Sequence, residues 1–294
     1  MAFQPLSRRS LGDIGENYVK GIFIGIKYHP WRAFIYLFAS FSVLWTLVEG
    51  VTYFIPSLDF RGIAPLITVV VISIIYTAVK IRHPSKIKIP IRHTNTQIEI
   101  KFGDIFKEDG FRVIAVNEFF DSEIGLPVSA NSLHGIFLSR CFGGHSQAFD
   151  QIIEEELKDS PGENVTRPQG KERKYPIGTT ATIPVNNDHY LCFALTKTEI
   201  NTCKAYADMP TLWQALIGLW QKARISVGGS ALVLPLVGSG LSGISIPTRE
   251  LLDLVVLSVI TESKRRQITT CIRIILTPDR YEEVELKEIK RHWR

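Results

Sequence analysis

Residues 232–244 read LVLPLVGSGLSGI, an apolar run that leads into the glycines Gly238, Gly240 and Gly243. These letters fit G-x-G-x-x-G, the fingerprint that binds a dinucleotide after the first strand of a doubly wound fold. The kind of loop that these glycines form decides the fold of the C-terminal part of the chain.

The residues around the glycines argue against a dinucleotide fold. That fold needs a helix that begins inside the motif, with its N-terminus facing the pyrophosphate. Here the extended residues 244–247 follow, so a helix begins only near Pro247 and Thr248. The fingerprint also expects an acidic residue about 20 positions on, near the end of the next strand, but that distance falls in TESKRR at 261–266, past a helix. Only 51 residues follow Gly243, too few for the rest of such a domain. No Lys-Ser or Lys-Thr pair follows Gly243, which excludes a Walker loop.

A phosphate-binding role for this loop remains. A glycine-rich loop at a strand end exposes several backbone N–H groups, and such a nest binds phosphate oxygens. We therefore expect ligand contacts from Gly238, Ser239, Gly240, Leu241, Ser242 and Gly243. The alternative is a glycine turn that binds nothing.

Strand and helix patterns alternate from residue 95 onward. The segment 159–178 is polar and rich in Pro and Gly, which predicts a loop or a hairpin tip. Strands are predicted at 96–106, with a turn at its end, and at 111–119, 180–185, 190–198, 231–237 and 271–278, and helices at 132–142, 145–159, 209–226 and 248–264. This order predicts an α/β domain over 95–294, with a largely parallel or mixed sheet flanked by helices.

Two long apolar stretches precede this domain, at 31–55 and 62–81. A helix needs about 20 mostly apolar residues to cross a bilayer, so we expect a two-helix transmembrane hairpin over 31–81. The residues before it, 1–30, read as a weakly amphipathic cytoplasmic segment, and 82–94 as a linker. The alternative is a hairpin buried in a soluble protein.

The distribution of Lys and Arg predicts the orientation of the hairpin. The predicted turn carries only Arg61, whereas both flanks are basic. The flanking cations are Arg8, Arg9, Lys20, Lys27, Arg32, Lys80, Arg82, Lys86, Lys88 and Arg92. The positive-inside rule therefore places both termini in the cytoplasm.

Composition narrows the partners and the chemistry. The net charge is +5, which suits nucleic acid, anionic lipid or an anionic small ligand. The basic residues cluster beside the apolar stretches and at the C-terminus, so we expect a lipid partner and no nucleic acid. No C-x-x-C pair, Ser-His-Asp spacing or Cys-His spacing occurs, so we expect no metal, no cofactor and no catalytic residue of these kinds.

The motif order in the second half resembles the macro domain, an ADP-ribose-binding module. The shared elements are a strand followed by Gly103-Asp104-Ile105, a strand ending in Val-Asn, G-G-x-S, and P-x-x-G-S-G-x-x-G. The resemblance implies that Asp104 receives the adenine, and that the loop 238–243 holds the pyrophosphate and the distal ribose. It implies a second phosphate clamp in 142–149, at Gly143, Gly144, His145 and Ser146.

Further ligand contacts are expected where the second strand ends and where the next helix begins. Asn117 and Glu118 lie at the strand end, where open sheets bind ligands. Ser132 and His134 lie before and within the first turn of the predicted helix. A solvated carboxylate and a structural histidine are the alternatives for Glu118 and His134.

The whole chain resembles the macro-type effectors of Thoeris antiphage systems, through the hairpin, AVNEFFDSE at 115–123 and SANSLHG at 129–135. The resemblance implies a partner TIR-domain protein that consumes NAD and makes an ADP-ribose derivative, with histidine-ADP-ribose as the associated signal. It implies that the effector binds this signal, forms a homo-oligomer and disrupts the bacterial inner membrane.

One departure from the macro-domain pattern bears on catalysis. Macro domains that hydrolyse ADP-ribosyl groups carry an N-A-A-N-type segment, whose second Asn orients the attacking water or the ribose. When Val116-Asn117 is aligned with the start of that segment, Phe120 stands at the position of the second Asn. Phenylalanine cannot position water, so we expect ligand binding rather than hydrolysis, although Asn131 or Asp121 remain candidates for that role. The alternatives are a membrane-tethered ADP-ribosyl hydrolase and a passive anchor that recruits ADP-ribosylated partners.

Overall fold

The computed structural model describes residues 11–55, 57, 62–238, 240 and 244–293. The chain divides into two units, which are described separately. The first comprises residues 1–85 and 285–287, and the second comprises residues 86–284 and 288–294. The predictions for residues 1–10 and for Arg61 lie outside the described residues.

The first unit contains the helices α1 (Leu11–Tyr28), α2 (Pro30–Phe54) and α3 (Ile63–Ile81). Pro30 occupies the first position of α2, where its missing N–H costs no helical hydrogen bond. By length and composition, α2 and α3 are each apolar and long enough to cross a membrane. They pack against each other, and α2 contains no buried residue. The predicted stretches 31–55 and 62–81 thus form two helices that could be a hairpin.

Helix α1 packs against both apolar helices. Gly25 makes this approach possible, because a Cβ atom there would collide with the carbonyl oxygen of Ile81. The backbone N–H of His83 donates to the carbonyl of Gly21 at 2.9 Å. The glycines that weaken the helical pattern of this segment therefore serve a close helix contact.

The second unit is built on one mixed sheet. Its strands are β1 (Lys86–Pro90), β2 (Gln97–Phe102), β3 (Phe111–Asn117), β6 (Thr180–Val185), β7 (Asp188–Thr198), β8 (Ala205–Tyr206), β9 (Leu232–Pro235) and β10 (Cys271–Leu276). The order is β1-β2-β10-β9-β3-β7-β6, and β8 pairs with β7. The strands β2, β10, β9, β3 and β7 are parallel neighbours, whereas β1 and β6 are antiparallel. The predicted mixed sheet is confirmed.

Helices cover the sheet. They are α4 (Leu133–Phe142), α5 (Ser146–Glu156), α6 (Met209–Ser226), α7 (Thr248–Arg265) and α8 (Leu286–His292). Short 3-10 helices span Ile105–Lys107 and Pro278–Tyr281. Helix α6 shows why the pattern predicts its bounds. Asp208 accepts from the N–H of Thr211 at 2.9 Å, and the apolar side chains from Leu212 to Ala223 recur at helical spacing and are buried.

One region differs from the sequence prediction, and a second region agrees with one of the two predicted forms. The segment 82–94, predicted as a linker, contains β1, because Ile87 and Ile89 alternate with exposed or half-buried lysines and are buried on the sheet. The segment 159–178, predicted as a loop or hairpin tip, forms an antiparallel hairpin of β4 (Glu163–Asn164) and β5 (Arg173–Lys174).

The parallel strands determine where a site can form. Because β2, β10, β9, β3 and β7 run in the same direction, the loops that follow them meet at one edge of the sheet. Open α/β sheets bind ligands at this carboxyl edge.

Candidate functional site

A cavity of about 690 Å³ opens at the carboxyl edge of the sheet. The ends of all five parallel strands contribute to its lining, through Gly103, Thr277, Val237, Asn117 and Thr196. The strand-end loops and the first turns of α4 complete its walls. The sequence-predicted residues Asp104, Ile105, Asn117, Ser132, His134, Gly238 and Gly240 line this cavity.

Asp104 lies directly after β2, where it caps the 3-10 helix Ile105–Lys107. Its Oδ1 accepts from the N–H of Phe106 at 3.1 Å. Its Oδ2 lies 3.6 Å from Nη1 of Arg140, whose guanidinium sits 4.6 Å from the centre of the Phe106 ring. Both charged side chains are partly exposed, so Oδ2 remains accessible to a ligand.

The glycine loop after β9 contributes Gly238 to the lining of the cavity. Gly238 has φ +85°, and a Cβ atom there would lie 2.8 Å from Cδ1 of Ile244, so the position requires glycine. Gly240 also lines the cavity, and a Cβ atom there would meet open space. Helix α7 begins at Thr248, as predicted. Ser239, Leu241, Ser242 and Gly243 lie outside the described residues.

Asn117 lines the cavity, but its side chain is used inside the turn that follows β3. Its Oδ1 accepts from the N–H groups of Phe119 and Asp121, and its Nδ2 donates to Oδ2 of Asp121 at 2.8 Å. Phe120, at φ +51°, is fully buried and packs edge-on against Tyr175. The turn is therefore an internally bonded scaffold.

Glu118 is buried and is not among the lining residues. Its Oε1 accepts from the N–H of Thr198 at 3.0 Å, which ties the end of β3 to the end of β7. Desolvation raises the pKa of this carboxyl group, and Lys174, 3.9 Å away, opposes the shift. The structure thus assigns it a structural contact between strands.

The loop before α4 supplies the wall that faces β3 and β7. Ser132 caps α4, because its Oγ accepts from the N–H of Gly135 at 3.0 Å and donates to the carbonyl of Ser129 at 2.6 Å. His134 is buried, and burial lowers its pKa to about 3. Its Nε2 makes no hydrogen bond within the described part of the chain. A neutral imidazole therefore forms part of this wall.

Gly143, Gly144, His145 and Ser146 lie at the junction of α4 and α5 and not on the cavity. Gly143 is left-handed at φ +62°, and the N–H of Gly144 donates to the carbonyl of Leu138, so the paired glycines end α4. The wall expected from these four residues is instead formed by residues 125–132.

Several lining residues were not predicted, because no motif in the sequence marks them. These are Gly125, Leu126, Pro127, Thr202, Cys203, Lys204, Ala205 and Arg280. Among the described lining residues, Asp104 is the carboxylate, and Arg140, Lys204 and Arg280 are the cations. Arg280 already donates to both carboxylate oxygens of Glu283, at 2.9 and 3.0 Å. The remaining excess of positive charge favours an anionic ligand.

The two residues that the sequence left as candidates for orienting water, Asp121 and Asn131, are placed differently. Asp121 is fully buried and paired with Arg167, so it does not reach the cavity. Asn131 does line the cavity. Within the described ranges, no group of three or more His, Cys, Asp or Glu side chains is arranged to hold a metal ion.

Comparisons with known proteins identify a family and two similar solved structures. The family model of the macro domain of Thoeris protein ThsA matches residues 98–277. The Oceanobacillus iheyensis macrodomain with ADP aligns with a TM-score of 0.49 and 15% identity, covering 70% of this chain and 96% of that chain. The same macrodomain with MES bound aligns with a TM-score of 0.49 and 12% identity over the same shares. No curated protein matches the sequence.

Proposed function

This chain belongs to the Thoeris ThsA macro-domain family, and from that premise we propose that its cavity binds an ADP-ribose-derived signal in antiphage defence. The observation that carries the proposal is the cavity, which connects Asp104 at the end of β2 with the glycine loop after β9. An adenine diphosphate needs these two elements, a carboxylate for its exocyclic amine and backbone N–H groups for its phosphates.

The proposed pose runs across the sheet. The adenine stacks near Phe106, with its amine on Oδ2 of Asp104, and the diphosphate lies on the loop that contains Gly238 and Gly240. The terminal ribose then reaches the wall formed by residues 125–132. Arg140 and Lys204 supply positive charge at the cavity for a ligand that is itself anionic.

We propose that the protein senses this ligand rather than hydrolysing it. Phe120 is buried, Asp121 is committed to Arg167, and the Asn117 amide is bonded within its own turn. None of these three is free to orient an attacking water. Asn131 alone among the candidates remains at the cavity.

The apolar helices α2 and α3 are proposed to carry the effect of ligand binding to the membrane. In this proposal α2 and α3 cross the bacterial inner membrane with both termini in the cytoplasm, and the signal is histidine-ADP-ribose made by a TIR-domain partner. Binding favours a homo-oligomer because the ligand has a higher affinity for that state, and the assembled helices disrupt the bilayer. The absence of any buried residue in α2 supports an apolar surface that needs a partner.

Liposomes that contain the full chain and an enclosed dye test this proposal. ADP-ribose or histidine-ADP-ribose is expected to release dye from the wild type. Gly240→Glu is expected to abolish binding and release while the protein stays with the lipid, because a carboxylate enters the phosphate loop. Gly240→Ala is the control, since its Cβ meets open space, and binding is expected to persist.

Other outcomes separate the alternatives. Binding without dye release would contradict the effector role and indicate a passive anchor. Turnover of ADP-ribosylated protein that is lost in Asp104→Ala would indicate a hydrolase.

A further inference from the structure

The tip of the β4–β5 hairpin, residues 166–171, contacts two residues that line the cavity, Leu126 and Cys203. The hairpin is closed by β4 and β5 and by the N–H of Val165, which donates to the carbonyl of Glu172 at 2.8 Å. This segment follows α5 in the chain, and none of its residues lines the cavity. Its influence on a ligand can only be exerted through the residues that it contacts.

A buried ion pair anchors the tip. Nη2 of Arg167 lies 2.6 Å from Oδ2 of Asp121, and both side chains are 0% exposed. Asp121 also accepts from Nδ2 of Asn117 and, through Oδ1, from the N–H of Lys171 at 2.8 Å. The guanidinium of Arg167 lies 4.1 Å from the centre of the Phe119 ring. The pair therefore locks the tip onto the turn after β3.

Gly170 completes the anchor. Its φ is +84°, and a Cβ atom there would collide with Nη2 of Arg167 and lie 2.6 Å from Oδ1 of Asp121. Lys171 adds an ion pair to Asp150 on α5. The position of Gly170 therefore requires glycine while the ion pair is formed.

Gln169 joins the anchored tip to two walls of the cavity. Its carbonyl oxygen accepts from Nε of Arg167 at 2.5 Å and from Sγ of Cys203 at 3.7 Å. Its side-chain Nε2 donates to the carbonyl of Leu126 at 3.1 Å. Leu126 and Cys203 both line the cavity, on the loops after β3 and β7. One residue therefore spans the gap between these loops.

These loops lie at the far end of the cavity from Asp104. Asp104 follows β2, and Cys203 follows β7, with β10, β9 and β3 between them in the sheet. Four strand spacings of about 4.8 Å separate the two ends by about 19 Å. A nucleotide with its adenine at Asp104 thus meets the tip-bound loops only with the group that follows its diphosphate.

We propose that the hairpin tip determines specificity for that distal group, with Gln169 as the specificity-determining residue and Arg167 as a positioning residue. This inference rests on the proposed function and extends it. The tip fixes the distance between the loops at Leu126 and Cys203, and this distance sets which group fits beyond the diphosphate. ADP lacks the terminal ribose, so its affinity does not depend on this end of the cavity, whereas the affinity of ADP-ribose does.

Affinities of the full chain in detergent for ADP and for ADP-ribose test the proposal. Gln169→Ala removes the bond to Leu126 from an exposed side chain and is expected to weaken ADP-ribose binding about fivefold, with ADP changed less than about twofold. Arg167→Lys keeps the charge but loses the planar guanidinium. It is expected to lower the affinity for ADP-ribose relative to that for ADP by more than Gln169→Ala does. Glu172→Ala, an exposed neighbour, is the control that leaves both affinities unchanged.

The ratio of the two affinities decides the result. A merely structural effect would weaken both ligands equally, and an equal loss, or no change in Gln169→Ala, would overturn the proposal. If Arg167→Lys fails to fold by thermal unfolding, Gln169→Ala alone decides. A wild type that binds neither ligand would instead overturn the proposed function, and the specificity inference with it.

Discussion

Two Asp–Arg pairs in the second unit have the same chemistry but differ in burial. Asp104 and Arg140 are 38% and 55% exposed, with Oδ2 and Nη1 3.6 Å apart. Asp121 and Arg167 are both 0% exposed, with Oδ2 and Nη2 2.6 Å apart. The first pair borders the cavity, and the second lies beneath the turn that follows β3.

The difference in burial assigns the two pairs different roles. An exposed pair contributes roughly 0–1 kcal/mol, so Asp104 loses little when it exchanges Arg140 for a ligand. A buried pair cannot exchange partners, because an unpaired charge in the interior is strongly unfavourable. Asp121 satisfies this requirement by accepting from three donors, Nδ2 of Asn117, Nη2 of Arg167 and the N–H of Lys171.

Arg167→Met is the change that tests the buried pair most severely. It leaves the carboxylate of Asp121 buried without its cation, and we expect a loss of about 3–5 kcal/mol in the free energy of unfolding. Urea denaturation of the full chain measures this loss. Arg140→Met is the matched control at the exposed pair, with an expected loss below about 1 kcal/mol. Equal losses in the two variants would remove the distinction between the pairs.

Asp104→Ala tests the exposed pair through binding. Losing a charged acceptor for the adenine amine is expected to weaken ADP-ribose about 30-fold, or about 2 kcal/mol. The lost cap of the 3-10 helix is expected to cost only about 1 kcal/mol of stability. Titration calorimetry measures the affinity, and Asp109→Ala, at an exposed position nearby, serves as the control. Unchanged affinity in Asp104→Ala would show that this carboxylate does not contact the ligand.

His134 is buried like Arg167, but its Nε2 has no partner among the described residues. Desolvation, with a smaller effect from Lys171, lowers its pKa to about 3. Between that value and the ordinary one of about 6.5, the unfolded chain holds a proton that the folded chain does not. Stability is therefore expected to fall as the pH falls, by about 1.4 kcal/mol between pH 7.5 and 5.5 from this group.

His134→Gln isolates this contribution. The difference in unfolding free energy between wild type and variant is expected to change by that amount over the same pH interval. A difference that stays constant with pH would show that folding does not change the pKa of His134.

Local patterns predicted most of the fold. The start of α7 at Thr248 followed from Pro247 and from the extended residues before it, and the bounds of α6 followed from its amphipathic pattern. The alternation in β1 is present in the sequence, but it spans only five residues directly after an apolar helix, so it does not by itself distinguish an edge strand from a linker. The macro-domain fold followed from the Gly103-Asp104-Ile105 turn and the late glycine loop, and the family match confirms it.

The site was less predictable, because its walls depend on contacts between distant residues. Gly143 and Gly144 matched a phosphate-loop pattern, but they end α4, and the cavity wall comes from residues 125–132, which carry no glycine motif. Asp121 and Arg167 are separated by 46 positions, and nothing in either local sequence indicates the pair. Only the packing of the hairpin tip on the turn after β3 brings them together.

Binding of ADP-ribose to the full chain in detergent tests the central claim most directly. Isothermal titration is expected to show saturable one-to-one binding, which Gly240→Glu abolishes and Gly240→Ala retains. The claim would be contradicted if the wild type showed no saturation up to about 1 mM ADP-ribose, an affinity of only about −4 kcal/mol.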